Sequence, residues 1–312
     1  MPDRLIVSLP DDTLVAELAR IDPPLPAGAV EFVEWDLAGP PPVPHVDVVV
    51  PPYMGAGSKR LQSLEGAAVR LVQSQSIGYD GVADILPAGL VFANATTVHE
   101  TATAELALAL ILASQRGLDD FVRQAGRGEW RGGARPSLAD RTVLILGYGG
   151  VGKAVEARLA PFEVARVIRV ASSAREDAAG HVHAIAELPA LLPEADVVVV
   201  GTPLTPATRG LVGAAELALL ADDALVVNVA RGPVLSTDAV LAEAGRLRFA
   251  LDVTDPEPLP ADHPLWSAPG VLISPHVGGN ASSMAPRMAR LLRRQIDHLL
   301  AGEEPENVVL RS

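Results

Sequence analysis

Cysteine is missing from all 312 residues, and with it go disulfides, thiolate nucleophiles, iron–sulfur clusters and cysteine-ligated zinc sites. Basic charge is scarce: 25 Lys and Arg face 38 Asp and Glu, a formal net charge of −13, and no basic run reverses that field locally. A surface of this sign repels nucleic acid and anionic membrane, so neither is expected as a partner. Long apolar runs are lacking too. The longest near the middle, Leu106 to Ala113, falls far below the roughly 18 residues of a membrane span and reads as one buried helix. The opening MPDRLIVSLPDD has neither the basic start nor the long apolar stretch of a signal peptide, which points to a cytoplasmic protein. Short-period repeats and low-complexity tracts are absent, and the proline-rich stretch from Pro40 to Pro44 reads as a loop.

What is present suits a packed globular chain: 49% hydrophobic and 20% charged residues, with a length that favours two domains at about 150 residues each. Val46 to Val50, Val69 to Val72 and Val91 to Ala93 are short, β-branched runs that predict parallel strands of a first α/β unit. A helix from about Glu100 to Gln115 follows; it is apolar nearly all round, so it is expected to be buried against a second domain. After the Gly- and Arg-rich connector Gly126 to Arg135, six apolar runs begin at Val143, Val167, Val197, Leu225, Phe249 and Val271. Their spacing of roughly 20 to 30 residues predicts a doubly wound parallel sheet with helices on both faces.

Between the first of these runs and the next helix lies GYGGVG, with Gly147, Gly149 and Gly152 in G-x-G-x-x-G spacing. The first glycine permits the tight turn, the second lets a pyrophosphate approach the backbone, and the third lets the helix pack on the strand. The helix N-terminus then offers N–H groups to the phosphates. The same letters give most of a triphosphatase loop, Gly147 to Lys153, but Ala154 stands where that motif needs a hydroxyl for magnesium, so the dinucleotide reading prevails and Lys153 reads as solvent-facing. In NAD-binding turns an acid about 20 positions on takes the ribose 2′-hydroxyl. Here Ala171 stands there, followed by Ser172, Ser173 and Arg175, a set better suited to a 2′-phosphate, so NADP is favoured over NAD.

Ligands of an open parallel sheet sit beyond the carboxyl ends of the strands. The residues there include Gly201, Thr202 and Pro203, then Asn228 and Arg231, then Asp252 and Glu257, then Pro275 and His276. Arginine, carboxylate and imidazole on one edge fit hydride transfer to a 2-oxo acid. Arg231 can clamp the substrate carboxylate and polarise the carbonyl. His276 can give the proton that the growing oxyanion needs, and Glu257 can fix its tautomer and favour the charged ring.

These segments resemble the D-isomer-specific 2-hydroxyacid dehydrogenases, the family of glyoxylate/hydroxypyruvate reductases and of D-lactate and D-3-phosphoglycerate dehydrogenases, and the resemblance covers nearly the whole chain. It rests on GYGGVG, ADVVVVGTPLTPATRGLV, LVVNVARGPVLSTDAVL, ALDVTDPEPLP and HPLWSAPGVLISPHVGG in that order. It implies Arg231, Glu257 and His276 as catalytic residues. Around the cofactor it implies Gly147, Gly149, Gly150, Val151 and Gly152, the segment from Ser172 and Ser173 to Arg175, and Thr202 with Pro203. Val229, Ala230 and Arg231 follow, then Asp252 towards the nicotinamide, and His276 with Gly278. It further implies a Rossmann domain over 99–283 and a smaller flavodoxin-like substrate domain made of 1–98 and 284–312, with a returning helix at about Met284 to Leu300.

In the N-terminal part, SQSIGYDGVAD resembles the loop whose amides hold the substrate carboxylate, matching Ser76, Ile77 and Gly78. Ser76 replaces a common glycine, a change expected to leave the amide available, and Ala83 replaces a common aspartate. Tyr53 and Met54 are candidate pocket walls, and the family implies a homodimer. The leading reading is an NADPH-linked reductase of a small 2-oxo acid. Similar formate dehydrogenases pair the histidine with glutamine, against Glu257 here; the alternative of another class is a non-catalytic, dinucleotide-sensing regulatory protein of the same fold.

Overall fold

The computed structural model describes residues 4–53 and 58–312. The chain forms two compact units, Met1–His99 with Ala281–Ser312, and Glu100–Asn280. In chain order the strands are β1 (Leu5–Leu9), β2 (Val30–Glu34), β3 (His45–Val49), β4 (Ala68–Gln73), β5 (Val91–Ala93), β6 (Thr142–Leu146), β7 (Arg166–Ala171), β8 (Arg175–Asp177), β9 (Gly180–Ala184), β10 (Val197–Val200), β11 (Leu225–Asn228), β12 (Arg248–Leu251), β13 (Val271–Ile273) and β14 (Val308–Arg311). The helices are α1 (Thr13–Leu18), α2 (Ser58–Leu61), α3 (Glu100–Arg116), α4 (Leu118–Ala125), α5 (Gly150–Leu159), α6 (Leu188–Leu191), α7 (Ala214–Leu217), α8 (Thr237–Glu243) and α9 (Met284–Ala301).

The first unit is a six-stranded sheet in the order β14-β5-β4-β3-β1-β2, parallel except for β14 against β5. Without β14 this is the flavodoxin-like order. Successive residues of its central strands feed opposite cores: Val48 and Leu71 join one, Val49 and Val72 the other. This is why these strands read as unbroken apolar runs. Helix α9 covers the first core with Met288, Leu291, Leu292, Ile296 and Leu299, a single helical stripe, and stops at Gly302 in the left-handed conformation.

The second unit is an eight-stranded sheet in the order β13-β12-β11-β10-β6-β7-β9-β8, in which only β8 runs antiparallel. All six predicted runs are strands of it. The chain builds outward from β6 through β7 to β9, then returns to the other side of β6 with β10, which places the topological switch between β6 and β10. Leu144, Leu146, Val198 and Val226 feed one face, while Val143, Ile145, Val197 and Val227 feed the other. Helix α3 is buried within its own unit. Ala104, Ala107, Leu108 and Ile111 pack there with Val155 and Leu159 of α5, so the all-round apolar character is answered by a sheet on one side and a helix on another. Among the described residues no helix is long and apolar enough to cross a membrane.

Candidate active site

Leu146, Val200, Asn228, Leu251 and Ile273 stand side by side in the second sheet. The residues that follow them, Gly147, Gly201, Val229, Asp252 and Ser274, therefore leave the sheet along one edge. At the switch, Gly147 has φ +107°, and a Cβ there would lie 2.5 Å from the Thr202 nitrogen, so only glycine fits. Its amide and that of Tyr148 donate to Val170 O at 2.9 and 3.0 Å, pinning the turn to β7. A Cβ on Gly152 would stand 2.3 Å from Gly147 O, the close helix–strand approach that the third glycine of the motif permits. Gly149 differs: no atom lies within 4 Å of where its Cβ would be. Open space over that backbone, at the start of α5, fits a pyrophosphate.

Beyond β7, Ser172 and Ser173 are exposed. Arg175 begins β8 and folds back, its Nη2 donating to Tyr148 O at 2.8 Å. The two acids that follow in β8 are engaged elsewhere: Glu176 meets His181 and Asp177 holds Lys153 at 2.8 Å. Under the glycine turn, Arg169 donates through Nε to Glu156 at 2.8 Å and the Tyr148 hydroxyl also donates to Glu156. Burial, reinforced by Glu156, pushes the Tyr148 phenol up to about 12. Burial works against ionisation of Glu156, but hydrogen bonds from Arg169 and Tyr148 outweigh it and hold that carboxyl below its ordinary range.

After β11 the Asn228 side chain ties the loop, its Oδ1 accepting the Ala230 amide at 3.0 Å and its Nδ2 donating to Arg231 O at 3.1 Å. Arg231 is half-buried and its Nη1 donates to Ala230 O at 2.7 Å. Gly232 follows, and a Cβ there would fall 1.8 Å from Thr254 O, so the loops after β11 and β12 are pressed together. Asp252 is buried and its carboxylate accepts from Ser274 Oγ at 2.7 Å, from the Val277 amide at 2.9 Å and from the Gly278 amide at 2.9 Å. Its carbonyl accepts the His276 amide at 2.7 Å. Asp252 thereby braces the histidine loop from beneath its backbone.

That loop holds His276 at φ +52°, a left-handed conformation that costs a non-glycine residue on the order of 1 kcal/mol or more. Its Nδ1 meets Glu257 Oε1 in a short hydrogen bond. The two side chains are 27% and 37% exposed, so the pair is shielded yet reachable. With Nδ1 engaged by the carboxylate, Nε2 is the nitrogen left for proton exchange.

In the first unit, the loop after β4 carries Ser76, Ile77 and Gly78. The Ser76 amide does not remain available as expected: it donates to Ser74 Oγ at 3.0 Å. Asn94 Nδ2 donates to Ile77 O at 2.8 Å and Ala95 N to Ser76 O at 2.9 Å, fixing the loop on the segment after β5. Tyr53 stacks on His99, centroids 5.4 Å apart, and His99 Nε2 lies 2.6 Å from Gln75 O. Met54 lies outside the described residues.

The family model of the D-isomer specific 2-hydroxyacid dehydrogenase NAD-binding domain matches residues 108–278, more than half of the chain. The chain belongs to that family. A glyoxylate reductase/hydroxypyruvate reductase of Homo sapiens is 30% identical over 295 residues, 88% of this chain and 89% of the relative. Among solved structures, an NADPH-dependent glyoxylate/hydroxypyruvate reductase of Sinorhizobium meliloti, in complex with NADP and sulfate, superposes with a TM-score of 0.79 at 27% identity, covering 99% of each chain. A family member of Xanthobacter autotrophicus in complex with NADPH and MES gives 0.79 at 27% identity, covering 99% of this chain and 98% of that one. The glycine turn of this dehydrogenase thus lies within a nicotinamide-dinucleotide-binding domain.

Three elements of the site escaped the sequence reading. Gly232 precedes a proline, and the Gly-Pro pair after a strand is a turn signal that could have marked it. Ser274 and the Tyr148–Glu156–Arg169 cluster carry no such local signal, since what matters is which distant residue each one meets.

Proposed function

We propose that this dehydrogenase is an NADPH-linked reductase of small 2-oxo acids, glyoxylate and hydroxypyruvate foremost, giving D-2-hydroxy acids. The observation that carries the reading is the His276–Glu257 pair on the strand edge that also bears Arg231. In this reading Arg231 binds the substrate carboxylate and polarises the carbonyl oxygen. His276, oriented by Glu257, delivers a proton from Nε2 to that oxygen and takes one back in the reverse direction. When bound, a reduced nicotinamide supplies the hydride to the carbonyl carbon. Gly147, Gly149, Gly150, Val151 and Gly152 are assigned to the pyrophosphate, with Thr202, Pro203, Val229, Ala230, Asp252 and Gly278 along the rest of the cofactor edge. Glyoxylate/hydroxypyruvate reductases among the relatives support the substrate class.

The preference for NADP is supported by Ser172, Ser173 and Arg175 beyond β7, by the engagement of Glu176 and Asp177 with other groups, and by relatives that hold NADP or NADPH. The second unit is assigned as the dinucleotide-binding domain and the first as the substrate domain, with Tyr53, Ile77 and Gly78 as its substrate-binding residues. Homodimerisation belongs to the same proposal. It is supported by the exposed Leu118, Phe121 and Val122 of α4 and by Trp130 in the connector that follows.

The test follows nicotinamide absorbance while purified protein is offered NADPH or NADH with a panel of 2-oxo acids. Glyoxylate or hydroxypyruvate should be reduced with a higher kcat/KM for NADPH. No turnover with any acid would reject the enzyme reading in favour of a dinucleotide sensor, and a clear NADH preference would reject the cofactor assignment.

A further inference from the structure

The edge hairpin of the second unit carries a cluster that hydride transfer does not use. In β9, His181 and His183 flank Val182, which is fully buried, so both imidazoles stand on the face opposite to it. Their rings meet edge to face with centroids 4.6 Å apart. The chain leaves β9 through a 3-10 turn, Ile185–Glu187, that brings an acid back to the strand end. Glu187 Oε1 accepts the Ala184 amide at 2.8 Å and Oε2 lies 2.9 Å from His183 Nδ1. One donor atom from each of His181, His183 and Glu187 lies within 4.8 Å of the other two. On the neighbouring strand β8, Glu176 is the register partner of His181 and its Oε1 is 2.8 Å from His181 Nδ1.

We propose that His181, His183 and Glu187 form a binding site for a divalent transition-metal ion of the zinc class. Two imidazoles and a carboxylate are the mixed nitrogen–oxygen donor set that zinc accepts. Bonds of roughly 2.0–2.2 Å in tetrahedral geometry put donors about 3.4 Å apart. Side-chain rotation closes the gap from the present spacing, and the half-exposed side chains have room for it. The ligand acid is already positioned, one oxygen held by the Ala184 amide and the other beside His183. Glu176 stands behind His181, where it can accept a hydrogen bond from Nδ1–H and leave Nε2 as the ligand atom, the arrangement in which carboxylates support metal-bound imidazoles. Exposed hydrogen bonds between histidine and carboxylate contribute little by themselves. A dication uses both imidazole lone pairs and the negative charge together, and it favours the folded hairpin by mass action.

Calorimetric titration of tag-free, chelator-stripped full-length protein with zinc chloride tests the site. One ion should bind per chain, and the affinity should fall by at least about tenfold in His181→Ala and in His183→Ala. His45→Ala, in the other unit, should bind as the parent does. Because these side chains are at the surface, the variants should melt like the parent without metal. In the parent protein, imidazole NMR signals of His181 and His183 should move with added zinc while those of His276 stay. Equal binding in His183→Ala, no binding by about 1 mM zinc, or shifts centred on His276 would each overturn the proposal.

Discussion

A proton donor must reach the developing oxyanion at the moment the hydride arrives, and His276, the donor proposed here, is held by two different constraints. Glu257 fixes its ring through Nδ1, while Asp252 fixes its backbone through the carbonyl and through the Val277 and Gly278 amides. His276→Ala should therefore lower kcat by about 10²-fold or more, with the cofactor still bound. Arg231→Ala should raise KM for the 2-oxo acid as well as lower kcat, because an arginine that both binds and polarises acts in ground and transition states. Steady-state kinetics on both variants separates the roles; parent-like constants in either would remove that residue from the mechanism. At this scale the three side chains proposed to carry the chemistry could be picked out in the sequence because ligands of an open sheet sit beyond strand ends. The braces could not be: nothing local in the sequence tells that the Asp252 carboxylate collects three donors from the loop after β13.

Burial made the strands of the second sheet legible, although β1, nearly all buried, was not read as a strand. Strands β6, β7, β10, β11, β12 and β13 are flanked on both faces and announce themselves as apolar runs. Strand β2 mixes apolar and acidic residues at a sheet edge, β14 pairs only with β5, and the hairpin β8–β9 is mostly polar, so none of these produced a run to notice. The link between α5 and β7 yields a prediction of its own. Glu156 on α5 is ionised and bonded to Arg169 on β7, and its pKa lies below the ordinary value of 4.5. A depressed carboxyl adds stability above its unfolded pKa and loses it as pH falls through the folded value. Glu156→Gln should thus melt several degrees below the parent at neutral pH. The gap should begin to shrink below about pH 4.5 and close in stronger acid. A gap that is constant down to the acid transition would show that the ion pair is not its source.

For the whole molecule, the acidic balance and the apolar surface pull in different directions. A net charge of −13 opposes self-association, whereas Phe121, Val122 and a fully exposed Trp130 favour covering one face of the second unit. Light scattering coupled to gel filtration should give a mass near twice the 32.5 kDa chain. Val122→Glu should shift it towards the single-chain value, and a parent that elutes as a monomer at micromolar concentration would refute the dimer. The arrangement into two α/β units followed from run spacing, but which apolar helix is covered by its own chain did not. Helix α3 proved to be an internal support, and the shorter, more polar α4 carries the uncovered side chains.

The contact between Gly232 and the Thr254 carbonyl has a mechanical meaning. With no room for even a methyl group between them, the segment carrying the guanidinium and the segment carrying the acid cannot travel separately. If Arg231 and Glu257 act as proposed, gripping an anion and aiming a proton are thereby geared to one another, and their alignment is inherited at folding instead of being rebuilt at each turnover.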